Sequence, residues 1–175
     1  MFASRPVRTM AFSKQLVDLA KQALETAEAN HCSIVTAESC TAGKLSGLLS
    51  EAPGAGALLH GGFVTYTKDS KSKALGVSAA LLQREGAVCG DVAVEMAVGA
   101  LKRSPANVAV AITGVAGPEP DDDGNPVGLV CIAVLRQGAP PIRIEKRYGD
   151  IGREAVQERA MADALIELMA AMREQ

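Results

Sequence analysis

The stretch Thr36-Ala37-Glu38-Ser39-Cys40-Thr41-Ala42-Gly43 sets a carboxylate, a hydroxyl and a thiol side by side. It follows the apolar pair Ile34-Val35 and precedes a helical pattern. A serine at the end of a strand and the start of a helix can attack a carbonyl if a base is near, or hold an anion on backbone N–H groups. The structural alternative is a helix N-cap followed by a small-residue turn. Cys40 reads as a packed small hydrophobe rather than a nucleophile. Glu38 is left with three uses: orienting a neighbour, binding a ribose hydroxyl, or capping the helix.

A serine hydroxyl needs a base. The chain has two histidines, His31 and His60. One precedes the first strand pattern and the other falls early in the second, so neither suits a Ser-His-Asp arrangement at the far strand ends. After the second strand come Tyr66, Lys68, Lys71 and Lys73. A buried lysine with a lowered pKa can take the proton, and a tyrosine can relay it. Tyr66 and Lys71 flank a strand-to-helix turn and can face one pocket; solvated surface lysines are the alternative. The third strand end carries Thr113-Gly114-Val115-Ala116-Gly117-Pro118. Its glycines permit close approach to a ligand, although it is not a GxxxxGK[ST] phosphate loop. Asp121, Asp122 and Asp123 form either a magnesium site or a solvated loop tip.

Those strand ends imply a scaffold. Leu16, Leu19, Ala20, Ala23, Leu24 and Ala27 follow helical spacing after an N-cap at Ser13. Strands are expected over 32–37, 58–67, 108–113, 127–135 and 142–148. Helices are expected over 41–50, near 69, after an N-cap at Ser78, over 91–103 and over 153–172. The glycine pair Gly61-Gly62 within the second strand marks a bulge or a close approach of another backbone. This order predicts a three-layer α/β/α sandwich with a mixed, mostly parallel sheet, its antiparallel neighbour joined through the turn at Gly138. Ligands in such sheets sit beyond the carboxyl ends of the parallel strands, which brings the three motif-bearing ends together.

Composition narrows the function classes. The 175 residues suffice for one domain with a substantial core, and 48% of them are hydrophobic. Residues 1–12 are expected to be a disordered N-terminus and 13–175 a single domain. The net charge of −2, with no Trp, two Tyr and three Phe, disfavours nucleic-acid binding by phosphate neutralisation or base stacking. Cys32, Cys40, Cys89 and Cys131 form no CxxC pair, so reduced thiols in a cytoplasmic protein are expected. No stretch matches a membrane span. The helix over 91–103 and the last helix, with Met161, Met169 and Met172, serve either the core or a homo-oligomer interface.

With these segments placed, the chain resembles the CinA C-terminal domain family, whose stand-alone members include nicotinamide-nucleotide amidohydrolases. The stretches that carry the resemblance are TAESCTAGKLSGLL, GGFVTYTKDSKSKALGV, EGAV, VAVAITGVAGP, PVGLV and GREAV, over residues 16–172. The resemblance implies the CinA-like sandwich, also described as anticodon-binding-domain-like. It implies hydrolysis of the carboxamide of nicotinamide mononucleotide (NMN) to nicotinate mononucleotide and ammonia, with no metal or cofactor. Ser39 is the implied nucleophile, with Tyr66 and Lys71 as the base. Glu38, Thr41, Gly43, Thr113, Gly114, Gly117 and Arg153 are the implied substrate contacts, the turn over 41–43 serving the oxyanion or the phosphate.

The chain departs from the family pattern at four places. Ala42 stands where a glycine pair is usual, Asn125 where a lysine is usual in the acidic loop, and Gln157 where an arginine is common. The segment before Arg153 is two residues longer than its usual spelling. The acidic loop opens a second reading, a hydrolase of another small amide or nucleotide. A third is a non-catalytic, competence- or damage-associated binding protein.

Overall fold

The structure, a computed structural model, describes residues 12–173. Strand β1 (Ile34–Glu38) lies between β2 (Leu59–Val64) and β3 (Val108–Gly114) and runs parallel to both. Each of these chain segments returns to the same edge of the sheet through helices, which parallel pairing requires. From β1 the chain passes α2 (Lys44–Ser50) and α3 (Ala55–Leu58). From β2 it passes α4 (Lys68–Ser70), a π-helical turn over Lys71–Leu75, α5 (Ala79–Glu85) and α6 (Gly90–Lys102). No helix separates β3 from β4 (Leu129–Arg136), so β4 must run antiparallel to β3. The turn at Gly138 then folds β5 (Ile142–Arg147) antiparallel to β4. The sheet order is β2-β1-β3-β4-β5. Two of its four pairings are antiparallel, one more than the Gly138 turn alone implied, because the acidic loop returns directly without a crossover.

Side-chain alternation along the buried strands builds two cores. Ile34, Val108, Val110, Ile112, Val130, Ile132 and Val134 face α1 (Lys14–Ala29), α2 and α7 (Arg153–Arg173). Val35, Ala37, Ala109, Ala111, Cys131 and Ala133 face α5 and α6. The second face is rich in alanine, which lets α6 lie close to the sheet. The stripes of α6 and α7 weighed as an interface are spent on these cores: Met96, Met161, Met169 and Met172 are all buried.

The disordered N-terminus expected over 1–12 lies outside the described residues except for Phe12, which packs on the first core. Ser13 and Ser78 cap their helices as expected, accepting from Leu16 N and Leu81 N. Of the two things weighed for the glycine pair of β2, the bulge is present, whereas the close neighbours are side chains rather than another backbone. The register slips between Ile34 and Val35, and a Cβ on Gly62 would lie 2.1 Å from Ser46 Oγ and 2.4 Å from Thr36 Oγ1. None of the helices among the described residues is long and apolar enough to cross a membrane.

Candidate active site

The carboxyl ends of β1, β2 and β3 meet at one edge. His31 and His60 lie toward the other, before β1 and at the second residue of β2. Hydrogen bonding continues one residue past the strands there. Ser39 N donates to Ile112 O (2.9 Å) and Thr65 N to Glu38 O (2.8 Å). The positions of Ser39 and Thr65 are therefore set by sheet register, not by a flexible loop.

Lys71 opens the π-helical turn and points back under the strand ends. Its side chain is fully buried (0% exposed), with Nζ 2.7 Å from Ser39 Oγ and 2.9 Å from Thr65 O. Burial penalises the ammonium and lowers its pKa from 10.5 to about 8. A hydroxyl thus contacts an amine that is partly neutral at ordinary pH, within the reach general-base chemistry needs. Cys40 is also buried, and burial pushes its thiol up to about 12, so it carries no thiolate near neutrality.

Tyr66 and Lys71 separate. The Tyr66 ring is 55% exposed, and its hydroxyl accepts from Arg153 Nη2 at 3.0 Å. Arg153, at the first turn of α7, also donates from Nη1 to Gly117 O at 2.7 Å. The structure therefore places Lys71 against Ser39, and Tyr66 at the rim with Arg153. Both acceptors are neutral, and no ion pair of Arg153 is found among the described residues.

Glu38 turns inward. Its carboxylate is fully buried and accepts from Thr36 Oγ1, Thr41 Oγ1, Leu45 N, Ser46 N and Ser46 Oγ. Two of those donors are orphan N–H groups in the first turn of α2, so Glu38 supplies from the preceding strand the anion that this helix end favours. Leu45 N and Ser46 N of the α2 terminus are therefore already engaged by Glu38. Glu38, Thr41 and Gly43 are absent from the wall of the pocket. Helix α2 starts at Lys44 rather than 41, and a turn separates it from Ser39. In that turn Ala42 and Gly43 are both left-handed, with φ of 51° and 87°. Two successive left-handed residues explain why a glycine pair suits this turn, and why Ala42 is strained. Ala42→Gly is expected to stabilise the fold by about 0.5–1 kcal/mol, since strain relief of ~1–2 kcal/mol exceeds the added chain entropy. Denaturant unfolding checks this, and destabilisation would contradict it.

A pocket of about 480 Å³ opens above Ser39. Cys40, Tyr66, Thr113, Gly114, Gly117 and Arg153 line it, together with Ala87, Val88 and the acidic loop. Thr113 Oγ1 donates to Ala87 O (2.8 Å), so its hydroxyl proton holds the wall. Gln157 is buried, bridging Cys40 O and Lys44 Nζ, and so docks α7 on the Ser39 turn. The acidic loop is exposed at its tip, over residues 122–124, and among the described residues it is not part of a three-ligand metal cluster. Asp121 accepts from Asp123 N, Asn125 N and Asn125 Nδ2, while Asp123 pairs with Lys68. The Lys68–Asp123 pair and the acceptor Thr65 O were missed from sequence. Only the lysine-rich exit of β2 hinted at the first, and a backbone carbonyl leaves no mark in residue types.

The model of the CinA C-terminal domain matches residues 16–172. The nicotinamide-nucleotide amidohydrolase PncC of Escherichia coli K12 is 39% identical over 152 residues, covering 86% of this chain and 91% of that protein. A CinA-like protein of Mycolicibacterium vanbaalenii is 46% identical over 134 residues, 76% of this chain but 31% of that protein. The chain thus spans about a third of the length of that relative. The crystal structure of the competence/damage inducible protein CihA from Agrobacterium tumefaciens has a TM-score of 0.88 at 40% identity, covering 95% of this chain and 100% of that one. The sandwich, the strand-end pocket and these matches have one conclusion: the chain belongs to the CinA C-terminal domain family.

Proposed function

We propose that this chain is a nicotinamide-nucleotide amidohydrolase that converts NMN to nicotinate mononucleotide and ammonia through a Ser39 nucleophile and a Lys71 base. The observation that carries the reading is the 2.7 Å approach of a fully buried lysine to a serine hydroxyl at the floor of the pocket. The similarity to the amidohydrolase PncC over 86% of the chain supplies the substrate class.

Neutral Lys71 takes the Ser39 proton as Oγ attacks the carboxamide carbon. The resulting ammonium returns the proton to the departing nitrogen, and ammonia leaves an acyl ester on Ser39. Water, deprotonated by the same lysine, then releases nicotinate mononucleotide and regenerates the serine. Thr65 O orients Nζ throughout. With Leu45 N and Ser46 N committed to Glu38, the amide of Cys40, beside the nucleophile on the pocket wall, is the proposed oxyanion donor. Arg153 receives the phosphate, which its guanidinium fork suits, and Tyr66 positions Arg153 instead of relaying the proton.

Ammonia release from NMN by the purified protein in EDTA tests this directly. Stoichiometric nicotinate mononucleotide and ammonia are the expected products. If NMN stays intact while other small amides are cleaved, the substrate assignment falls and the Ser39–Lys71 chemistry stands. If no amide is cleaved, the pocket serves binding.

A further inference from the structure

The pocket rim carries a charge arrangement that amide hydrolysis does not require. Its charged lining residues are the cations Lys68 and Arg153 and the anions Glu119, Asp121, Asp122 and Asp123. Asp123 joins three separate segments. Its Oδ1 accepts from Lys68 Nζ (2.5 Å), two residues beyond Tyr66, and its Oδ2 accepts from Ala87 N (3.1 Å), between α5 and α6. A Cβ on Gly86 would lie 2.6 Å from Asp123 Oδ2, so the close seat of this carboxylate depends on a glycine with φ of +78°.

We propose that Lys68 is a second phosphate-binding residue of this pocket, held in reserve by Asp123 until the phosphate of the substrate takes its place. The proposal rests on the nucleotide reading above. A phosphomonoester near neutral pH carries close to two negative charges and three strong acceptor oxygens, against one charge on a carboxylate. The Lys68 and Asp123 side chains are 43% and 26% exposed, and a solvated pair of this kind is weak enough to be exchanged. Arg153 makes the first contact, because among the described residues its hydrogen-bond partners are the neutral Gly117 O and Tyr66 hydroxyl. Lys68 then leaves Asp123 for the phosphate. Asp123 keeps its amide contact with Ala87, so the loop end stays seated after the exchange. In the free protein Asp123 masks Lys68 from other anions, which makes Asp123 a specificity residue.

The test compares kcat/KM for NMN and for its unphosphorylated riboside in the wild type, Lys68→Met and Asp123→Asn. Lys68→Met is expected to lower the NMN-to-riboside ratio roughly tenfold, as expected for loss of one charge-assisted contact to phosphate. Asp123→Asn is expected to raise that ratio about threefold, mainly through KM for NMN, since the competing ion pair is weak. The latch is overturned if both variants shift the ratio in one direction, or if neither shifts it. Calorimetry with inorganic phosphate separates this from the amidohydrolase reading. If the wild type cleaves neither substrate, weaker phosphate binding in Lys68→Met and tighter binding in Asp123→Asn still uphold the latch, and unchanged binding removes it.

Discussion

Ser39→Ala is expected to lower NMN turnover by roughly 10⁴-fold or more while the protein stays folded, because removing a covalent nucleophile leaves only binding and electrostatic assistance. The backbone at Ser39 is held by Ser39 N to Ile112 O and by Ala42 N to Ser39 O, and neither bond uses the hydroxyl. The side chain is 6% exposed, and its contact is with Lys71 Nζ. The change therefore removes one acceptor from a buried amine and little packing, a stability cost of about 1 kcal/mol. Ammonia release and thermal unfolding, run together, read both quantities. A variant that unfolds normally yet retains a tenth of the wild-type rate points to a different nucleophile.

Lys71→Met is expected to cost about 10³-fold in kcat, within the range of a lost general base. Methionine matches the long stem of lysine and takes a charge out of a fully buried site, so the fold is expected to be as stable as wild type or more so. The pH dependence separates a base from a merely structural lysine. With the Lys71 pKa lowered to about 8, the reactive form is neutral, and about a tenth of the protein carries it at pH 7. The wild-type rate is expected to rise about tenfold per pH unit below that value and level off above it. In Lys71→Met this limb disappears. An unaltered limb in the variant assigns the titration to another group.

The same shift has a consequence for folding. The unfolded lysine retains its proton up to about 10.5, whereas the buried one loses it near 8. Between these values the unfolded chain binds more protons, so stability rises with pH across this window. Below about 8 the folded protein bears the full cost of a buried ammonium. Lys71→Met removes that slope, which denaturant midpoints at pH 7.5 and 10 measure.

Much of the scaffold was legible because it rests on short-range rules. Apolar spacing placed α1, α6 and α7, and hydroxyl caps placed Ser13 and Ser78. The motifs at three strand ends converge because parallel strands with crossovers bring like ends together. Strand-end convergence left Lys71 open between a base and a solvated surface lysine, and only the family resemblance paired it with Ser39. The length of α2 was not legible. Ala42 and Gly43 adopt left-handed backbone in a turn that helical spacing does not distinguish from helix.

The sequence by itself therefore determined the layers, the edge that carries the site and the residue types gathered there. Only the tertiary structure decided which way those side chains face. Glu38 turns in to cap α2, Tyr66 turns out to Arg153, Lys71 is dehydrated against Ser39, and Asp123 neutralises Lys68. The last three pairings join residues 87, 32 and 55 positions apart. Helical period and capping act over a few residues and leave a local pattern. Desolvation and charge pairing depend on which groups the folded sheet brings within about 3 Å, and no spacing along the chain encodes that distance.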